Sequence, residues 1–174
     1  KVLHVEPGQT RPELRFRFPE TKKGVWKSYP ITLGLREAHP TSIHRTPDGL
    51  LWIGTDESFL QTYDGIEFKT VAASPEIPAN EIEVLQHAVD GSLWMGTASG
   101  MARHAEGRTE PFSFSETLAR KRVNDILVDA DGSVWFAGDS GLLRFDGRKW
   151  TAFTTHDGLP ANTIRSLWRA RNGL

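Results

Sequence analysis

Six histidines, His4, His39, His44, His87, His104 and His156, are the side chains of this chain best suited to acid–base work or metal binding. No two have the short spacing at which a helix presents a pair of zinc ligands, and there is no cysteine to supply a thiolate, a disulfide or a nucleophile. His156 precedes Asp157, but the pair sits in a Gly-Pro loop, Asp157-Gly158-Leu159-Pro160, with no nucleophile to pair it with. Aspartates stand before glycine at Asp48-Gly49, Asp90-Gly91 and Asp131-Gly132, without the close carboxylate spacing of a Ca²⁺ loop. The expectation is a chain with no catalytic residue, no metal and no cofactor.

The Asp-Gly pairs instead mark a repeat. Each opens the same stretch: Asp48-Gly49-Leu50-Leu51-Trp52-Ile53-Gly54, Asp90-Gly91-Ser92-Leu93-Trp94-Met95-Gly96 and Asp131-Gly132-Ser133-Val134-Trp135-Phe136-Ala137. Asn172-Gly173-Leu174 begins a fourth, so the offsets are 42, 41 and 41 residues. A fixed period of this size is the signature of a propeller or solenoid. Asp-Gly provides the positive φ angles of a two-residue hairpin, and the apolar residues after it occupy both faces of a strand. Such a strand must be covered on both sides. Gly54, Gly96 and Ala137 leave room for a close neighbour, and the tryptophans Trp52, Trp94 and Trp135 read as packing between blades rather than as a sugar platform.

Each unit holds four segments. The first is Ile82-x-x-Leu85, Val123-x-x-Ile126, Ile164-x-x-Leu167 and, more weakly, Pro40-x-x-Ile43. The Trp strand is second, and the third runs through Phe59 to Tyr63, Met101 to Ala105 or Leu142 to Phe145. A further turn at Asp64-Gly65, Glu106-Gly107 or Asp146-Gly147 leads into the fourth, which carries Trp26, Phe68 or Trp150 where one unit has Thr109. Four short antiparallel strands per period make one propeller blade. The predicted architecture is all-β: one propeller fragment over 1–174, with a partial blade at 1–39, blades at about 40–81, 82–122 and 123–161, and the start of another at 162–174. Residues 1–23 are the least regular part. A propeller closes with 4–8 blades, so the ring needs more sequence or another copy of the chain.

Ligand recognition, if present, belongs where the chain leads into each innermost strand, because several blades converge there. The aligned positions are Ala38, Asn80, Lys121 and Asn162, followed by His39, Glu81, Arg122 and Thr163. Candidate binding residues are therefore His39, Asn80, Glu81, Lys121, Arg122 and Asn162. For Asn80 and Asn162 the alternative is turn capping. The balance of 21 basic and 22 acidic residues gives no footprint for nucleic acid, and no aliphatic or aromatic run approaches the roughly 20 residues of a membrane span.

The unit from Val123 through Trp135 to Asp139-Ser140-Gly141-Leu142-Leu143-Arg144-Phe145-Asp146-Gly147 resembles the two-component regulator propeller repeat. Residues 40–71 depart from it at Asp56-Glu57-Ser58-Phe59, and residues 82–114 at Ala105-Glu106-Gly107. The resemblance covers roughly residues 24–174. It implies the extracytoplasmic, periplasmic sensor region of a bacterial histidine kinase or diguanylate cyclase, whose membrane contact comes only through downstream segments. It also implies a small-molecule or saccharide ligand, recognised without catalysis. The alternatives are an enzyme of the streptogramin lyase type, which shares Asp-Gly-x-x-Trp-Phe, and a propeller serving only protein interaction.

Overall fold

The computed structural model describes residues 34–35, 39–73, 77, 81–112 and 121–170, which form three four-stranded antiparallel sheets. The first contains β1 (Pro40–Arg45), β2 (Leu51–Thr55), β3 (Leu60–Tyr63) and β4 (Phe68–Ala72). The second contains β5 (Ile82–His87), β6 (Leu93–Thr97), β7 (Gly100–Ala105) and β8 (Arg108–Phe112). The third contains β9 (Val123–Val128), β10 (Val134–Gly138), β11 (Gly141–Phe145) and β12 (Trp150–Phe153). Strands neighbour one another in chain order within each sheet. The sheets stack through β1, β5 and β9, which lie side by side as the inner strands. This is the blade architecture the period predicts, and the only helical turn among the described residues is a 3₁₀ turn at Thr155–Asp157.

The core lies in the seams between blades. Between the first and second, Leu60, Ile77, Ile82, Leu85, Leu93 and Met95 are buried together, with Trp52 packed against them. Between the second and third, Trp94, Met101, Val123, Ile126, Val134 and Phe136 do the same. Gly54 and Gly96 have a packing reason. A Cβ on Gly96 would lie 2.6 Å from Val84 Cγ1 and 2.7 Å from Val123 Cγ1, and one on Gly54 would lie 2.6 Å from Ile82 Cγ2. Real Cβ atoms do not approach that closely, so each glycine fixes how near the next inner strand comes.

The structure differs from the sequence reading at three places. The Asp-Gly loops are one residue wider than a two-residue hairpin. The Gly49 N–H donates to the Thr46 carbonyl at 2.8 Å and the Thr46 N–H to the Leu50 carbonyl at 3.0 Å. The same pair of bonds recurs at Ala88–Ser92 and Asp129–Ser133. Only the glycine takes positive φ (92°, 84° and 83°), because the aspartate serves through its side chain, accepting the N–H two residues on. Second, Trp94 is 1% exposed but Trp52 and Trp135 are half-buried. Trp94 faces Phe136 and Phe145 of the third blade at 5.2 and 5.9 Å. Trp52 instead meets His104 at 5.3 Å, and Trp135 faces the side where no further described blade packs. Third, Ile164 to Arg169 is not a strand. It lies along β9, with the Ile164 N–H donating to the Gly138 carbonyl at 3.0 Å, but no described strand flanks it on the other side to complete a ladder.

Candidate functional site

The start of each inner strand is held by one recurring backbone bond. The Asp56 N–H donates to the His39 carbonyl, the Ala98 N–H to Glu81 and the Asp139 N–H to Arg122, at 3.1, 3.2 and 3.2 Å. Each donor lies in the turn after the Trp strand. His39, Glu81 and Arg122 are thereby placed equivalently in successive blades, at the end of the stack where inner strands begin. Ala38 and Asn80 lie outside the described residues.

Their side chains do different things. His39 turns to its own blade, with Nδ1 2.9 Å from Asp56 Oδ2 and its backbone N–H donating to Asp56 Oδ1 at 2.9 Å. Arg122 crosses a seam: its Nη2 is 2.9 Å from Glu83 Oε1 and 3.7 Å from Glu81 Oε2. Lys121 beside it is exposed. Asn162 is also exposed, but its Oδ1 accepts the Thr155 N–H at 2.8 Å and its carbonyl accepts the Gly141 N–H at 2.6 Å. These are the contacts of a turn cap. The rim thus brings together Glu81, Glu83 and Arg122 with Lys121 adjoining, and keeps His39 with Asp56.

Glu83 and Asp56 were missed in the sequence. Glu83 sits one residue inside the strand, and Asp56 belongs to the segment where the first unit departs from the repeat, so neither falls in the lead-in columns. Burial first, and then the neighbouring Glu81, push the Glu83 carboxyl above the ordinary glutamate value, although Arg122 pulls the other way.

At the opposite end of the inner strands the Asp-Gly aspartates do more than turn the chain. Asp90 Oδ2 accepts from Arg103 at 2.6 Å and Asp131 Oδ2 from Arg144 at 2.7 Å. Each guanidinium lies over its blade's tryptophan, 5.4 Å from the Trp94 ring and 5.5 Å from Trp135. The Ser133 hydroxyl and N–H, then Arg144, hold the Asp131 carboxyl below its ordinary range. Thr62 stands at the arginine position of the first blade, where Asp48 takes the Thr46 hydroxyl instead. Near this end His44 and His87 stack across the first seam, with ring centroids 6.4 Å apart. No group of three or more His, Asp or Glu among the described residues is arranged to hold a metal ion.

Residues 34–57 match the two-component regulator propeller family. Among solved structures, the chain is similar to the extracellular domain assigned to the hybrid two-component system BT3049 of B. thetaiotaomicron, with a TM-score of 0.69 and 21% identity over 80% of this chain and 19% of that one. The extracellular domain assigned to the one-component system BT4673 of the same organism gives 0.67, at 18% identity over 80% and 20%. Virginiamycin B lyase of Staphylococcus aureus gives 0.64, at 16% identity over 81% and 49%. At these identities the likeness is one of fold. The chain spans about one fifth of the two extracellular domains it matches. No curated protein matches it. No described helix is long and apolar enough to cross a membrane.

Proposed function

The chain carries a two-component regulator propeller repeat, and from that premise we propose that it is a non-catalytic, ligand-sensing part of a bacterial transmembrane signalling protein, facing the extracytoplasmic side. The observation that carries this reading is the charged rim. The lead-in to each blade projects a different polar group, His39, Glu81 or Lys121-Arg122, from a scaffold whose repeated backbone bonds are the same. Varied side chains on an invariant frame are what recognition at the mouth of a propeller requires. Arg122 supplies forked donors and Glu81 an acceptor, a combination suited to the hydroxyl and carboxylate groups of a small molecule or saccharide.

The test is binding to the complete receptor that contains this chain, screened against neutral and acidic saccharides by thermal shift and calorimetry. A ligand present at about 100 times its Kd raises stability by about 2.7 kcal/mol. Arg122→Ala and Lys121→Ala are expected to abolish that shift. Lys121→Ala, which removes an exposed side chain, should leave the unliganded melting temperature within a degree or two, whereas Arg122→Ala also takes away the partner of Glu83 and is read against its own unliganded melting temperature. Binding that survives both substitutions would place recognition elsewhere.

A second reading is a lyase of the streptogramin type, favoured by the fold likeness to virginiamycin B lyase. Asp131-Gly-Ser-Val-Trp135-Phe136 is the stretch that resembles it, while the other two units read Trp-Ile-Gly-Thr and Trp-Met-Gly-Thr. Turnover of a cyclic depsipeptide antibiotic by the purified chain would support this reading over sensing.

A further inference from the structure

On the inner strands of the first and third blades, side chains reach over to a backbone carbonyl of the segment that follows, and on β1 Ser42 Oγ joins Thr41 in donating to the same Ile82 carbonyl, at 3.0 Å. Thr41 Oγ1 donates to the Ile82 carbonyl at 2.6 Å, and Asn124 Nδ2 donates to the Ile164 carbonyl at 2.8 Å. Counted back from the Asp-Gly or Asn-Gly pairs, Thr41 and Asn124 are equivalent, as are Ile82 and Ile164. The second blade has Glu83 at the donor position, and the carbonyl it would serve is that of Val123. An ionised carboxylate has no hydrogen to donate.

The structure shows what happens there. The Glu83 side chain is only 20% exposed, and its buried Oε1 forms an ion pair with Arg122 Nη2 at 2.9 Å but makes no hydrogen bond. The Glu81 carboxyl shares Arg122 with Glu83, its Oε2 lying 3.7 Å from the same Nη2, and its charge adds to burial in raising the Glu83 pKa. Among the described residues, the groups facing Glu83 are these. Arg122 comes from the start of β9, Glu81 from the start of β5, and the neighbouring positions on β1 and β6, Thr41, Ser42, Gly96 and Thr97, do not titrate. A buried carboxylate oxygen held by an ion pair without a hydrogen bond is incompletely compensated, and a proton on the carboxyl would create the missing donor.

We propose that Glu83 is a proton-operated latch between the second and third blades. As the neutral acid its O–H donates to the Val123 carbonyl, completing the stitch that Thr41 and Asn124 make at the other seams. As the carboxylate it releases that proton to solvent and holds Arg122 instead. Protonation therefore closes the seam and frees Arg122. The effect on ligand recognition rests on the reading of the rim given above; the latch itself does not.

The experiment needs no ligand. Carbonyl-carbon NMR of the complete chain follows the Glu83 carboxyl and the Val123 backbone carbonyl from neutral pH down through the carboxylate range. Glu83 is expected to titrate above the ordinary glutamate value, with the Val123 carbonyl moving at the same midpoint. Glu83→Gln is expected to hold the Val123 carbonyl at its acid-form position at every pH, and Arg122→Gln to raise the Glu83 midpoint further. A Val123 carbonyl that stays constant while Glu83 titrates would overturn the latch. Titration of Glu83 at or below the ordinary glutamate value in the unmodified chain would overturn it equally.

Discussion

At the scale of the residue, the three tryptophans separate position in a repeat from environment. Trp94 is enclosed by Phe112, Phe136 and Phe145 at 5.0, 5.2 and 5.9 Å. Its replacement by alanine is expected to cost about 3–5 kcal/mol, the range for a buried large aromatic. Trp135 is half-buried; among the described residues its ring stacks on Phe153 at 5.8 Å and lies under Arg144, so it has less surface withdrawn from solvent than Trp94. Trp135→Ala should cost clearly less than Trp94→Ala in urea unfolding, and equal costs would show that the seam is not what buries Trp94. The sequence made the shared position legible, because Asp-Gly and Trp recur at fixed spacing. It could not grade the burial. Trp52 has the same motif as Trp94, but the ring it meets is His104, and the second blade has His104 and Thr109 at the positions where the third has Phe145 and Trp150. Burial of a blade face is decided about one period downstream, by residues of the next unit.

At the scale of the element, the seams differ in chemistry. The first carries His44 stacked on His87 and His104 on Trp52, whereas His104's counterpart in the second seam is Phe145. Burial lowers the His44 pKa, with the His87 charge adding to it, and burial alone lowers that of His104. A histidine whose folded pKa is depressed binds its proton more readily in the unfolded chain. Its stabilising contribution is therefore complete above the ordinary value of about 6.5 and is lost as pH falls through the lowered folded values. The melting temperature is expected to decline on acidification over that window. His104→Phe, which installs the residue of the third blade, should flatten the decline and raise stability at mildly acidic pH. His104 Nδ1 lies 2.7 Å from the Thr109 hydroxyl, which is partly exposed and can turn to water when the ring is replaced. Glu83 works in the opposite sense at the other seam, since a raised carboxyl pKa favours the folded state as pH falls. The difference between His104→Phe and its parent is thus the diagnostic quantity, and an unchanged acid limb in that variant would refute the assignment. The four-strand unit itself was legible from alternation and turn residues. The wider Asp-Gly loop was not, because Asp-Gly suits both loop lengths and only the cross-strand register distinguishes them.

At the scale of the whole molecule, the question is what covers the two ends of the stack. Ile43 occupies the inner-strand column of Leu85 and Ile126, yet it is 68% exposed where they are 5% and 4%. Around it Leu35, Leu51, Ile53, Tyr63 and Phe68 line an apolar hollow of about 420 Å³ on the outer face of the first blade. The other end presents half-buried Trp135 and Trp168, the latter 91% exposed. These faces are complementary by construction, since every internal seam joins the tryptophan side of one blade to the inner-strand isoleucine or leucine side of the next. Fully burying one such side chain contributes about 1.5–3 kcal/mol, so two faces that no described blade covers favour association. The isolated chain is expected to self-associate head to tail, with the tryptophan end of one copy on the Ile43 face of another. Sedimentation velocity at several concentrations measures this, and Ile43→Glu should shift the distribution to monomer by placing a charge in the hollow. Within a longer polypeptide, such as the relatives of which this chain spans one fifth, a neighbouring blade would occupy the same face. Extending the chain beyond residue 174 by the rest of the next blade should then suppress self-association through the tryptophan end. A chain that stays monomeric at every concentration, with Ile43 unprotected, would show that these faces tolerate water and that seam burial is not what holds the blades together.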